Sequence, residues 1–501
     1  MERTTDSRSS RCKDASLNEL AFFVFVPRIP LDPRMAITFI PPFQSARMAI
    51  ESLNPATGEV LECFEEATAA DIDRALAQSH ATFLEWRRTS FAHRAALMRQ
   101  AGRILREDKA RFARTMALEM GKPVVQGEGE AEKCALVCDY YADNAEAFLA
   151  VEPKETDAAK SYVRFDPLGP VLAIMPWNFP LWQVFRFAAP ALMAGNTGVL
   201  KHASNVPRSA LDIEEVFRRA GFPEGAFRTL LVGNAAVAGI IADPRIVATT
   251  LTGSEQAGIK VAEQSGRHLK KTVLELGGSD AFIVLEDADV TKAAKVAADA
   301  RLINSGQSCI AAKRFIVVAP IFDRFLELFH QEMASRPMGD PLDRNTVIGP
   351  QARVNLRDSL HRQVEESLRQ GAVLRLGGKI PAGKGAFYPA TILDNCAPGI
   401  TAFDEETFGP VASVTRARDE ADAIRLANTS PFGLGCSLWT QDRARAERLA
   451  AEIEAGDVHV NAQVRSDPRL PFGGIKRSGY GRELSEFGIR EFVNIKSVWI
   501  G

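Results

Sequence analysis

Between residues 162 and 318 the chain repeats one pattern: a short apolar run, a turn, then a stretch with helical spacing. The apolar runs fall at 162–165, 171–175, 198–201, 229–232, 246–251, 272–276, 282–284 and 315–318, with helical patterns between several of them, such as 208–220 and 288–302. Short apolar strands separated by helices are buried on both faces, which argues for a parallel, doubly wound sheet. A second series follows at 372–376, 411–414, 436–439 and 457–460. The expected fold class is therefore α/β with two doubly wound parallel-sheet domains, the break falling near Gly277 and Gly278. Ahead of this series the spacing is helical. After Thr68 as N-cap, Ile72, Leu76, Phe83 and Trp86 share one face, and helical stretches run to about residue 151.

Composition excludes several classes. A chain of 501 residues with 46% hydrophobic and 25% charged residues is globular and long enough for about two or three domains. Lys+Arg 61 against Asp+Glu 63 gives a net charge of −2, so no global basic field attracts nucleic acid. Seven scattered cysteines make no disulfide scaffold, and a reducing cytoplasmic compartment is the default. The first 47 residues differ from the rest, with five prolines and a charge balance of +2. Their apolar run, 20–26, is too short to span a bilayer, and four acidic residues precede it, against a signal peptide. Residues 1–47 read as a disordered extension, dispensable to a domain that starts at Met48.

Four segments could carry chemistry. No Gly-x-Gly-x-x-Gly follows an early strand; the nearest candidate is the turn Gly253-Ser254, which could aim backbone N–H groups at a pyrophosphate or be an ordinary strand-to-helix turn. Cys309 lies in Asn304-Ser305-Gly306-Gln307-Ser308-Cys309, among small and amide residues. It is either an inert buried thiol or an accessible nucleophile. Glu275, between two leucines and before two glycines, is either a buried, paired structural group or a base with a tuned pKa. In Pro176-Trp177-Asn178-Phe179-Pro180 two prolines fix the backbone around an amide that could donate to an oxyanion or close its own turn. Cys134 and Cys138 share a helix face with no second pair nearby, and the seven histidines form no ligand motif, so no metal site is expected.

Together these segments resemble the aldehyde dehydrogenase superfamily from Glu51 to Val498: PWNFP, LTGSEQAG, LELGG, NSGQSC, EETFGPV (405–411) and PFGGIKRSGYGRE (471–483) stand in family order. Glu275 and Cys309 are 34 residues apart, the family's usual interval. The resemblance implies Cys309 as nucleophile, Asn178 with the Cys309 N–H as oxyanion donors, and Glu275 as the base that activates water on a thioester. It likewise implies Trp177, Lys201, Gly253, Ser254, Glu406 and Phe408 as NADP or NAD contacts. Ser204 stands where many NAD-preferring members have Glu, which removes a repulsion against a 2′-phosphate. Where a lysine commonly follows the family's Asn by nine residues this chain has Phe187, which puts in doubt a proton relay through that lysine and the carboxylate matched by Glu483. The resemblance also implies a cofactor domain of 48–148 and 168–277, a catalytic domain of 278–485, and a bridging β oligomerisation element of 149–167 and 486–501. That element would pair strands across the interface of a homodimer or homotetramer.

Arg186 bears on the substrate. It is the only charged residue between Asp166 and Lys201. A buried arginine needs an anion: an internal carboxylate, or a substrate carboxylate held bidentately. Arg186 and Ser466, with Arg465 adjoining, match positions in bacterial-type succinate-semialdehyde dehydrogenases. That points to NAD(P)-dependent oxidation of succinate semialdehyde, with no nucleic acid and no membrane as partner. The same machinery on glutarate semialdehyde or an aliphatic aldehyde is the neighbouring reading. A cofactor-independent thiol hydrolase built on Cys309 and a non-catalytic binding protein are readings of other classes.

Overall fold

The computed structural model describes residues 49–501, so the expectation for residues 1–47 lies outside the described residues. Thr68 caps the helix Ala69–Trp86 reciprocally: its backbone N–H donates to Asp71 Oδ2 at 2.9 Å and its hydroxyl accepts from Asp71 N–H at 3.2 Å. The helix buries Leu76, Phe83 and Trp86. Helices Phe91–Glu107, Lys109–Met120 and Val124–Phe148 follow. Cys134 and Cys138 are both buried on the inner face of the last of these.

A six-stranded sheet has the order Gly479–Tyr480, Lys271–Glu275, Ala248–Thr252, Pro170–Met175, Thr197–His202, Phe227–Thr229. Every pairing is parallel except that of Gly479–Tyr480. The chain winds outward from Pro170–Met175 to one edge, then returns to Ala248–Thr252 and winds to the other. A second, seven-stranded sheet has the order Val373–Leu376, Thr391–Asp394, Val411–Ala417, Arg314–Val318, Ala281–Val284, Gly435–Trp439, Asp457–Val460, with only the first strand antiparallel. Apolar layers of Phe282, Phe315, Phe329 and Trp439 on one face, and Ile283, Ile316 and Leu438 on the other, bury it. The fold is thus α/β with two largely parallel, doubly wound sheets.

Two expectations shift. The strand expected at 229–232 is Phe227–Thr229; Leu230 N–H still donates to Leu200 O at 2.8 Å, after which the chain turns away at Gly233. The strands expected to pair across an interface pair with each other: Val493–Ile500 runs antiparallel to Lys160–Pro167, from Val493 opposite Pro167 to Ile500 opposite Lys160. Glu152–Pro153 completes that three-stranded sheet and leaves Val493–Ile500 at its edge. Among the described residues no helix is long and apolar enough to cross a membrane.

Candidate active site

In an open doubly wound sheet, a crevice opens beyond the carboxyl ends of the strands where the winding reverses. Here that point lies between Pro170–Met175 and Ala248–Thr252. The segments that leave the strand ends around it are residues 176–180, the turn at Gly253-Ser254, the turn at Ser204, and residues 276–278.

Cys309 reaches the crevice from the other side, on the loop after the helix Val290–Leu302. The loop is bent tightly. Asn304 (φ 52°, ψ 41°) and Ser305 (φ 56°, ψ 32°) are left-handed, and Gly306 follows at φ 77°. Non-glycine residues in this region cost about 1–3 kcal/mol each and persist only when their surroundings hold them. Side chains supply that hold. Arg301 Nη2 donates to Gly306 O at 2.7 Å, and Asn304 Nδ2 donates to Asn178 O at 2.7 Å and Gln307 O at 3.0 Å. Lys313 Nζ donates to Ser308 O at 3.0 Å and Cys309 O at 2.7 Å. Gly306 is required here, because a Cβ would lie 2.2 Å from the Gly409 backbone.

Asn178 is locked onto this loop. Its Nδ2 donates to Gln307 O at 3.1 Å, two residues before Cys309. An amide nitrogen carries two N–H groups, so one remains for another acceptor. Burial pushes the Cys309 thiol up to about 12, while the charges of Arg186 and Lys313 act in the opposite direction.

Glu275 ends the strand Lys271–Glu275 with 2% of its surface exposed, and neither carboxylate oxygen has a hydrogen-bond partner among the described residues. It is the unpaired group rather than the structural one. Burial first, then the nearby charge of Glu483, hold its carboxyl well above the usual range; Arg186 and Arg482 pull the other way. A buried carboxyl so poised binds protons far more readily than a surface one, as a general base must. Gly473 makes room for it: a Cβ there would stand 2.7 Å from Glu275 Oε1.

Arg186, also 2% exposed, has an internal partner: its Nε pairs with Glu483. Its Nη2 donates to Thr252 Oγ1 at 3.4 Å, and its guanidinium lies 4.7 Å from the centre of the Phe472 ring. Phe187 turns away and packs edge-on against Phe492, ring centres 5.7 Å apart. The cation beside Glu483 is therefore the Arg186 guanidinium rather than a lysine ammonium. Arg186 nonetheless lines the cavity of about 380 Å³ onto which Cys309 opens, with Phe179, Trp182, Phe472 and Ser466. The Ser466 hydroxyl accepts from Lys133 Nζ at 2.7 Å, and Arg465 stands exposed on the same wall.

On the other side of Cys309 lie the residues matched to cofactor positions. Lys201, buried at the end of Thr197–His202, donates to Asn234 Oδ1 at 2.9 Å and has no carboxylate ion partner among the described residues. Ser204 is exposed in the next turn. Ser254 caps the helix Glu255–Arg267 by accepting from Ala257 N–H at 3.3 Å, and a Cβ at the neighbouring Gly253 would stand 3.5 Å from Leu251 Cδ2, an ordinary contact. Glu406 Oε1 accepts from Gly278 N–H at 3.0 Å and lies 3.4 Å from Lys313 Nζ, while Phe408 meets Trp177 edge-on with ring centres 5.8 Å apart. A buried ammonium with no carboxylate within ion-pair distance among the described residues, beside a helix N-terminus at the winding reversal, fits a dinucleotide. His202, at the same strand end, is structural: its Nε2 meets Pro180 O at 2.9 Å and burial lowers its pKa to about 4.

Sequence reasoning missed Lys133, Lys313 and Asn304. The NSGQSC motif contained Asn304, and its Asn-Ser-Gly run was the available signal for a left-handed turn. Lys313 gives no signal in its residue type, since it bonds carbonyls of its own loop and meets Glu406 only in the fold, and the Lys133 partner is a hydroxyl that the fold brings in.

A thiol on a braced loop, an amide aimed beside it, an unpaired buried carboxylate and a dinucleotide crevice define a class of enzymes that oxidise carbonyl compounds through a cysteine adduct. Residues 43–498 match the aldehyde dehydrogenase family, and the chain belongs to it. It is 52% identical over 458 residues to a Mycobacterium ulcerans protein named succinate-semialdehyde dehydrogenase [NADP(+)] 1, covering 91% of this chain and 100% of that one. It is 51% identical to the Mycobacterium avium succinate-semialdehyde dehydrogenase [NADP(+)], over 91% of this chain and 97% of that one. The crystal structure of succinic semialdehyde dehydrogenase from Streptococcus pyogenes in complex with NADP+ superposes with a TM-score of 0.88 at 40% identity, covering 90% of this chain and 99% of that one.

Proposed function

We propose that the protein oxidises succinate semialdehyde to succinate with NADP or NAD. The observation that carries this reading is the cavity beside Cys309, whose wall presents Arg186 and Ser466 among aromatic side chains. The names of the relatives support it. The Cys309 thiol gives up its proton to water as Sγ adds to the aldehyde carbon, and the carbonyl oxygen takes up the electron pair facing Asn178 Nδ2 and the Cys309 N–H. Such a donor is typically worth about 3 kcal/mol of barrier. A bound nicotinamide supplies the hydride acceptor that leaves a thioester on Cys309. Glu275 then takes a proton from water; the hydroxyl oxygen bonds to the thioester carbon, and the sulfur leaves.

Trp177, Lys201, Gly253, Ser254, Glu406 and Phe408 would hold the dinucleotide. Ser204, uncharged and exposed, leaves room for a 2′-phosphate. Gly277 and Gly278 lie between the last parallel strand of one sheet and the first of the other, which supports a division into a cofactor part (48–148, 168–277) and a catalytic part (278–485). Exposed Ile495 and Trp499 on the edge strand Val493–Ile500 support assembly of a homodimer or homotetramer through 149–167 and 486–501. The six cysteines of the described residues are all free, which suits a reducing, cytoplasmic setting.

Initial rates with succinate semialdehyde, glutarate semialdehyde and butanal, each with NAD and NADP, test the reading. The largest kcat/KM should fall on succinate semialdehyde. A larger value for an uncharged aldehyde would overturn the substrate, and turnover without any dinucleotide would overturn the class.

A further inference from the structure

We propose that Lys133 is the principal anchor for the far carboxylate of the substrate, an inference that rests on the succinate semialdehyde reading above. Lys133 projects from the helix Val124–Phe148 into the cavity that Cys309 shares. Its ammonium donates to Ser466 Oγ at 2.7 Å and sits 4.1 Å from the centre of the Trp182 ring.

Charge pairing around the cavity singles it out. Glu130 is taken by Lys122 and by the N–H groups of Leu181 and Trp182, each at 2.9 Å. Asp299 pairs with Arg336 at 2.9 Å. Arg186 is already neutralised by Glu483. Among the described residues Lys133 has no carboxylate ion partner, and Arg465, exposed at the rim, has none either. An ammonium has three donors and Ser466 uses one, so two remain. The Ser466 hydroxyl accepts from Lys133 and can still donate its own proton, so ammonium and hydroxyl together present converging donors to one carboxylate. An aromatic ring lowers the cost of holding the cation in an apolar wall, but does not replace an anion. A substrate carboxylate placed here completes the one charge on the inner wall that the fold leaves open. At Arg186 it would share a guanidinium already held by Glu483.

The ammonium is also poised to titrate. Burial lowers its pKa to about 8, and the charge of Arg186 acts in the same direction; Glu130 and Cys134 on its own helix and Asp467 from the segment behind Ser466 oppose them. Arg465 faces it from that same segment. An anion held below this pKa is released as pH rises through it.

The test measures kcat/KM for succinate semialdehyde and for butanal, with NADP and the full chain, in the wild type, Lys133→Met and Lys133→Arg. Hydrogen bonds to charged groups are worth about 1.5–3 kcal/mol, so the ratio of the two values should fall about 10–150-fold in Lys133→Met, mainly through KM. Lys133→Arg should recover most of it. In the wild type the KM for succinate semialdehyde should climb above about pH 8 relative to that for butanal, and in Lys133→Met this climb should vanish. Lys133→Gln carries the comparison if Lys133→Met does not fold. An unchanged ratio, or equal loss on both aldehydes, overturns the assignment of Lys133. A wild type with no preference for succinate semialdehyde would instead overturn the substrate reading, before any variant is compared.

Discussion

Removing the Arg186 side chain would strip the cation from two buried carboxyls at once. In Arg186→Ala, Glu483 loses the guanidinium that pairs with it, and Glu275 loses a charge that now pulls its pKa down. Breaking a buried ion pair by deleting one partner costs about 3–5 kcal/mol, because the other charge stays buried and uncompensated. The loss should follow pH with a definite sign. Glu483 is already held above its ordinary value by burial, and without Arg186 it rises further. A carboxyl with a raised folded-state pKa is easily accommodated while protonated, and its burial destabilises the fold as pH rises through that pKa. The melting temperature of Arg186→Ala should therefore fall several degrees below wild type at pH 8, and the gap should narrow toward pH 5. Oxidation of butanal and of succinate semialdehyde should fall together, since Glu275 is detuned for both. Thermal melts across pH with parallel kcat/KM measurements check this. A variant that melts like the wild type at both pH values and loses only succinate semialdehyde would refute the reasoning, leaving the guanidinium to the substrate alone.

Other outcomes follow from the same geometry. Asn178→Ala removes an oxyanion donor and a bond to the Cys309 loop, so kcat should drop about 10²–10³-fold, read from steady-state rates with saturating aldehyde. Ser204→Glu should shift preference from NADP toward NAD. A partly screened charge pair at close range is worth about 1–4 kcal/mol, and an unchanged ratio of kcat/KM for the two cofactors would mean that Ser204 does not face the ribose.

Much of this architecture is legible because parallel strands buried on both faces read as continuous apolar runs. The runs at 171–175 and 315–318 fall within Pro170–Met175 and Arg314–Val318, both buried in their sheets. Thr391–Asp394 was not legible: it is four residues long, follows Pro389, and has only Ile392 and Leu393 as an apolar signal. Cys309, Glu275 and Asn178 stood out as candidates because each stands in a segment whose composition is odd for a core, while the roles given to them came from the resemblance to a family. What the segments could not reveal was pairing. The internal partner of Arg186 became visible only once the fold brought Glu483 to it across 297 positions, at the edge of a cavity that Arg186 also lines. Lys133 reads locally as one lysine on a long helix with Glu130 and Glu132 beside it. Its partner Ser466 is 333 residues away, so only the tertiary structure turns a solvated charge into part of a cavity wall.

Trapping the acyl enzyme tests the central claim most directly. In Glu275→Gln the base that activates water is gone, and loss of a general base typically slows its step about 10²–10⁴-fold. Mixed with succinate semialdehyde and NADP, this variant should release about one equivalent of reduced cofactor per site and then nearly stop. Intact-mass measurement should show one succinyl group added, and peptide mapping should locate it on Cys309. Full steady-state turnover, or a succinyl group on another residue, would contradict the account.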